Sequence, residues 1–167
     1  MQKNNFCNGF SPSIDKNCIL LILGSMPGVT SLEQQQYYAH PQNRFWPLLS
    51  TILAEEPQAI YKDKLAMLLR HHIALWDSLC LCERDGSLDT AIKEERPNDF
   101  PTFFNEYPKI RKVCFNGIAA SRLFQKHYNT LLADLQIEAI TLPSTSPANA
   151  RWHLEKLLPI WQQALLK

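Results

Sequence analysis

The 167-residue chain has no long apolar run. Its longest, Cys18 to Leu23, falls far short of the ~20 residues that a membrane-spanning helix needs, so no membrane association is expected. The opening "MQKNNFCNGFSPSIDKNC" lacks the basic-then-apolar order of a signal peptide, and a cytoplasmic location is the expectation. The five cysteines, Cys7, Cys18, Cys80, Cys82 and Cys114, are odd in number and contain no C-x-x-C pair. That argues against a disulfide framework, a structural zinc site and an iron–sulfur cluster, and leaves buried reduced thiols as the expectation. There is no repeat and no linker-like stretch, and the length fits one domain, residues 1–167, around one sizeable core. A net charge of +1 makes the field of the whole molecule weak.

Acidic residues are missing from long segments. None occurs in Gln34 to Ala54 or in Ala139 to Leu154, while seven positions from Glu83 to Glu106 carry them. Tyr107 to Ala133 also has none, yet holds Lys109, Arg111, Lys112, Arg122 and Lys126. A polyanion could approach the acid-free segments without like-charge repulsion; equally, the basic residues could be a solvated face.

What is present reads as alternating strands and helices. "CILLIL" (Cys18 to Leu23) is a short continuous apolar run that fits a buried parallel strand. Thr30-x-x-Glu33 has capping-box spacing, so a short helix is expected near Ser31. Asn43 to Leu53 has helical spacing of its apolar residues, with Pro47 tolerated in the first turn. Ile60 to Leu69 follows as a helix and Ile73 to Trp76 as a strand. Asp77 to Phe100 reads as irregular, with a short helix opening at Ser87 and Leu88. Lys112 to Phe115 and Glu138 to Leu142 are strands, Ile118 to Gln125 a helix, and Ala148 to Leu166 a long helix that Pro159 should kink or split. This order implies an α/β fold: a three-layer α/β/α sandwich with a central, mostly parallel four-stranded sheet. Ligands in such folds bind beyond the carboxyl ends of the strands. Three loops qualify there: Gly24 to Asn43, Asp77 to Asp89, and Pro143 to Asn149.

Those loops hold the residues able to do chemistry. "GSMPG" is neither a nucleophile elbow, because Ser25 comes one place early, nor a P-loop, because no G-K-[ST] follows. It offers a turn of backbone N–H groups, and Gly24 allows close approach. Phe45 and Trp46 fit a helix's buried face, whereas Tyr37 and Tyr38 lie in a loop, where a ring can stack on a flat heterocycle for roughly 1–3 kcal/mol. His40, before Pro41, fits a loop turn best. Asn43 is either an N-cap, contributing about 1 kcal/mol, or a side chain that holds a water or a base edge. Asp77 at a strand end can act as a base or read a donor group, and Asn116 can do the same or only close a turn. "LPSTSPANARWH" combines hydroxyls, prolines and an amide before a helix, which suits phosphate binding, a wedge pushed into a duplex groove, or a stiff connection.

Taken together, "GSMPG…YYAHPQNRFW", "ALWDSL", "DGSLDTAI", "CFNG" and "STSPANA" resemble the uracil-DNA glycosylase superfamily, and within it the hypoxanthine-DNA (deoxyinosine) glycosylase branch. The likeness runs from about Cys18 to Trp152, and the long first motif is its specific part. It implies an enzyme that flips a deaminated nucleotide out of double- or single-stranded DNA and hydrolyses its N-glycosidic bond in base excision repair. It also implies a monomer that needs no metal and no cofactor. By position, Tyr38 would stack on the flipped base, and Gly24, Ser25, Met26 and Asn116 would line its pocket. Asp77 would read the base edge. Ser144, Thr145 and Ser146 would contact phosphates, and Pro147, Ala148 and Asn149 would fill the vacated stack.

Two positions depart from the wider pattern. Met26 stands where several branches carry the Asn or Asp that positions water, and Ser144 where the most active uracil branch carries His. A methionine cannot orient a hydrolytic water. The nearest branch is implied to share these losses and to rely on an Asn that matches Asn43, so Asn43 and Asp77 are the expected catalytic pair. Uracil or xanthine as main substrate, a catalytically weak lesion-binding module, and a nucleotide-binding protein that never meets DNA are the competing readings.

Overall fold

The computed structural model describes residues 5–167; residues 1–4, part of the expected 1–167 domain and of the opening read for a leader, lie outside it. In chain order the elements are β1 (Phe6–Asn8), β2 (Leu20–Gly24), α1 (Val29–Gln34), α2 (Phe45–Ile52), α3 (Tyr61–Arg70), β3 (Ile73–Asp77) and β4 (Leu79–Glu83). A short 3-10 turn, Asp89–Ala91, precedes β5 (Lys93–Pro97). Then come α4 (Phe100–Glu106), β6 (Lys112–Asn116), α5 (Ile118–His127), α6 (Leu131–Asp134), β7 (Glu138–Leu142) and α7 (Leu154–Leu166).

The central sheet has four strands in the order β3-β2-β6-β7, and every pairing in it is parallel. β2 is buried along its whole length, as a continuous apolar run in the middle of a parallel sheet must be. Its side chains alternate between two cores. Leu20 and Ile22 face the cluster built by α2, α3 and α7 around Phe45, Leu68 and Trp161. Leu21 and Leu23 face the cluster built by α4, α5 and α6 around Phe100, Phe124 and Leu132. The expected three-layer α/β/α sandwich is therefore present, with a sheet that is wholly parallel.

Sequence and structure part in four places. The segment expected to be irregular forms β4 and β5, which pair antiparallel with each other and with β1 in a second sheet, ordered β1-β4-β5. β5 reads "KEERP", so it carries no apolar alternation for a sequence pattern to catch. The Thr30–Glu33 capping box does not form: α1 begins at Val29, its cap Gly28 makes no side-chain bond, and Ser87 Oγ accepts the Val29 N–H at 2.8 Å instead. α7 starts at Leu154 rather than Ala148, because residues 149–152 are spent on turns after Ser146. Pro159 removes one donor within α7, yet the helix runs on unsplit to Leu166. Of the thiols, Cys18, Cys82 and Cys114 are buried as expected, but Cys7 is half-buried and Cys80 exposed, and all are free. Among the described residues, no helix is long and apolar enough to cross a membrane.

Because the sheet is parallel, Gly24, Asp77, Asn116 and Leu142 finish their strands at one edge, with Gly24 level with Asp77 and Asn116 level with Leu142. Trp161 links the core to that edge: it is fully buried, and its Nε1–H donates to the Pro143 carbonyl at 3.0 Å. Trp161→Ala is expected to cost about 3–5 kcal/mol in chemical denaturation, through lost burial and the cavity left behind.

Candidate active site

A cavity of ≈ 300 Å³ opens at the carboxyl edge of the parallel sheet. That is the lower end of the ~300–1,000 Å³ typical of small-molecule sites and the scale of one heterocycle. Gly24, Ser25, Met26, Tyr38, Asn43 and Asp77 contribute to its wall. So do Asn116 and the Ser144 to Ala148 stretch. Of the residues singled out from sequence, Asn149 alone is not part of that wall; its Nδ2 braces the loop by donating to the Ser144 carbonyl at 3.0 Å.

Asp77 is the most unusual group in the site. It ends β3, is 4% exposed, and its Oδ2 has no hydrogen-bond partner. The backbone is pinned on both sides: Asn98 Nδ2 donates to the Asp77 carbonyl at 2.7 Å, and Ser78 N–H donates to the Gly24 carbonyl at 2.8 Å. Gly24 is there because nothing larger fits; a Cβ would lie 2.4 Å from Asp77 Oδ1 and 3.2 Å from the Tyr38 hydroxyl. Burial pushes the Asp77 carboxyl up to about 7, with Asp89 adding to the rise and Arg84 opposing it.

Tyr38 forms one wall. Its backbone is left-handed at φ 54°, a conformation that costs a non-glycine residue on the order of 1–3 kcal/mol and that functional sites often hold. Phe45 covers one ring face, centroids 3.9 Å apart and 21° between planes, and the ring lines the cavity. The Tyr38 hydroxyl is buried without a partner beside Asp77, and burial holds it well above the usual phenol range. Phe45 and Trp46 are core residues, as expected, and Tyr37 is buried with its hydroxyl donating to the Ser11 carbonyl.

Asn43 takes the capping role of the two considered for it. Its Oδ1 accepts the Phe45 N–H at 2.9 Å and so caps α2, although the formal cap residue is Arg44. This bond fixes which end of the amide is which, and its Nδ2 makes no hydrogen bond among the described residues. His40 takes the turn role, with Nδ1 accepting the Gln42 N–H at 3.1 Å.

Several expected contacts are already committed within the protein. Asn116 gives both ends of its amide to Thr145: Nδ2 donates to Oγ1, and Oδ1 accepts the Thr145 N–H, each at 3.0 Å. Thr145 is fully buried, so its side chain does not offer itself to a phosphate as the sequence suggested; it locks the loop down. Met26 is also buried, packed with Leu79 and Cys82 under the small sheet. Lys112 pairs with Glu138 and Lys126 with Glu95, and none of the basic residues between Tyr107 and Ala133 borders the cavity. Those basic side chains lie outside the site, although Asn116 of the same segment is in its wall.

Four residues escaped the sequence reading. Arg44 donates from Nη1 to the Ser146 carbonyl at 3.0 Å and from its backbone to the Thr145 carbonyl at 3.1 Å, joining the first loop to the last. Ser87 caps α1 from across the site, and Asp89 Oδ1 accepts from Ser25 Oγ at 2.6 Å. Arg84, 3% exposed, donates from Nη2 to the Pro27 carbonyl, while its Nε and Nη1 have no partner. Their signal was available: Arg44 lies inside "PQNRFW", and Ser87 and Asp89 inside "DGSLD".

The buried carboxyl makes stability depend on pH. With its pKa raised to about 7, folded Asp77 holds a proton that the unfolded chain has released. The Asp77 contribution to stability is therefore greatest below the ordinary carboxylate range, falls as pH rises, and levels off above about 7. Asp77→Asn is expected to remove that component, so urea midpoints measured across pH should show the variant gaining on the wild type as pH rises.

Comparison with known proteins places the chain in a family. The family model described as Uracil DNA glycosylase superfamily matches residues 12–165. A protein of Methanosarcina barkeri named "Hypoxanthine DNA glycosylase" is 41% identical over 144 residues, covering 86% of this chain and 88% of that protein. One of the same name from Methanosarcina acetivorans is 40% identical over 145 residues, covering 86% and 89%. The solution structure of a candidate uracil DNA glycosylase from Methanosarcina acetivorans superposes with a TM-score of 0.82 at 36% identity, covering 96% of each chain. A buried, aromatic-walled pocket at the strand ends and a match along nearly the whole chain lead to one family: this chain belongs to the uracil DNA glycosylase superfamily.

Proposed function

We propose that the protein is a monofunctional DNA glycosylase that releases hypoxanthine from deoxyinosine in DNA, as the first step of base excision repair. The observation that carries this reading is the free Oδ2 of Asp77, sealed beside Tyr38 at the end of the pocket. The two relatives named for hypoxanthine support it.

The chemistry follows from the groups present. A nucleotide flipped out of the stack brings its base against the Tyr38 ring, which Phe45 holds rigid from behind. Hypoxanthine presents an N1–H donor, which a carboxylate at Asp77 accepts. Adenine presents an acceptor at N1, which would face the ionised carboxylate with no proton between them, and it is rejected for that reason above about pH 7. As the C1′–N9 bond lengthens, positive charge develops on the sugar and negative charge on the base, and preorganised dipoles favour that separation. Asn43 holds the attacking water through its free Nδ2–H, since its Oδ1 is spent on α2. The water oxygen joins C1′, its proton leaves with the base, and the products are free hypoxanthine and an abasic site. Among the described residues no lysine borders the pocket, and none is placed there to form a Schiff base and cleave the strand.

Ser144 and Ser146 take the phosphates on either side of the flipped nucleotide, with Thr145 fastening them from below. Pro147, Ala148 and Asn149 enter the helix behind it. The substrate is DNA carrying a deaminated base, on one strand or two, bound by a cytoplasmic monomer.

Single-turnover cleavage of oligonucleotides holding one deoxyinosine or one deoxyuridine tests the assignment. The expected result is release of hypoxanthine at a rate that rises as pH passes through about 7, where Asp77 ionises. Asn43→Ala should cut that rate by ~10²-fold or more. Asp77→Asn should lower deoxyinosine processing and shift selectivity toward uracil, whose edge suits an amide. Release of uracil alone by the wild type, or an unchanged rate and selectivity in Asp77→Asn, would refute the base assignment.

A further inference from the structure

Leu88 stands on the cavity rim, 60% exposed. A single exposed leucine is ordinary on a protein surface, but this one is held out by its surroundings. Ser87 is tied to Val29 N–H and Asp89 to Ser25 Oγ, so both flanking residues are fastened to the first loop. The preceding turn passes through Gly86 at φ 72°, a left-handed conformation that sets the direction in which Ser87 and Leu88 emerge. Both neighbours of Leu88 are thus held to the first loop.

The opposite rim is poorly equipped for the task that a flipped nucleotide creates. Its loop follows β7, at the other end of the sheet from β3, which leads into β4 and the Leu88 loop. Where that loop borders the cavity Ala148 is the exposed residue, with Ala150 and Arg151 exposed beyond it, while Pro147 and Asn149 are half-buried and the Asn149 amide is committed to Ser144. One methyl group cannot replace the apolar contact that a base loses when its neighbour leaves the stack.

We propose that Leu88 is a second apolar wedge that enters duplex DNA from the side opposite Pro147 and Ala148 and fills the stack vacated by the flipped nucleotide. The occupant of this rim is double-stranded DNA, and the assignment rests on the base-releasing reading above. The nearby carboxylates do not bar it: Asp85 accepts from Asn5 Nδ2 and Asp89 from Ser25 Oγ, and the wedge meets base faces rather than phosphates. Extruding a base from a duplex requires unstacking, whereas a single strand needs far less. Leu88 therefore matters for duplex substrate and little for single strands.

The test compares wild type, Leu88→Ala and Leu88→Met on one deoxyinosine oligonucleotide, single-stranded and paired, with 2-aminopurine next to the lesion to report unstacking. Leu88→Ala should lose roughly tenfold in single-turnover rate on the duplex and less than about twofold on the single strand. Its 2-aminopurine rise on duplex binding should fall in parallel, and Leu88→Met should restore both. Wild-type behaviour of Leu88→Ala on the duplex, or an equal loss on both substrates, would overturn the wedge and leave the glycosylase reading standing. If the wild type releases no hypoxanthine from either substrate, the substrate reading fails, and the fluorescence rise on duplex binding decides the wedge by itself: a smaller rise in Leu88→Ala supports it and an equal rise overturns it.

Discussion

Burying an ionisable group without a bonding partner opposes folding, and the fold accepts that cost at Asp77. Its Oδ2 lies unbonded at the end of β3, where the parallel sheet brings it level with Gly24. Much of the surrounding structure serves that placement. Gly24 lacks a side chain because one would collide with Asp77 Oδ1, Asn98 pins the Asp77 backbone, and Tyr38 takes a left-handed conformation to bring its ring alongside. A core designed only for stability would place a hydrocarbon there. On the proposed reading, the carboxyl is half of a hydrogen bond whose other half arrives with the base.

A second constraint is rigidity of the loops. The three that meet at the site are fastened to one another by side chains rather than left to their own turns. Arg44 joins the first loop to the last, Ser25 and Val29 join the first to the central one through Asp89 and Ser87, and Asn116 clamps Thr145. Each bond contributes roughly 0.5–1.5 kcal/mol, more where Arg44 or Asp89 brings a charge, and together they hold Asp77, Tyr38 and Asn43 in one geometry. The unpartnered nitrogens of Arg84, buried behind Pro27, belong to the same polar interior and oppose the rise at Asp77.

The three-layer sandwich was legible in sequence because β2, β3 and β6 are apolar runs ended by Gly24, Asp77 and Asn116, and helices with a 3.6-residue period lie between them. β7 and the start of α2 were legible for the same reason. The second sheet was not, since β5 is built from charged residues whose strand state comes from pairing with β4 alone. Loop assignments fared similarly. The structure brings Tyr38, Asn43 and Asp77, all singled out from sequence, to one cavity, because strand ends and motif spacing determine position. It could not tell that Thr145 and Asn116 would consume each other's hydrogen bonds, or that the Asn43 carbonyl would be spent on Phe45, since such pairings depend on distances set by tertiary structure.

The central claim is that Asp77 reads the N1–H of a flipped hypoxanthine. A structure of the protein on duplex DNA carrying 2′-fluorinated deoxyinosine, which resists hydrolysis, tests it most directly. The account requires the base in the cavity, stacked on Tyr38, with N1 within about 3.2 Å of Asp77 Oδ2. A base that turns its N1 edge away from Asp77, or that stays outside the cavity, would contradict it.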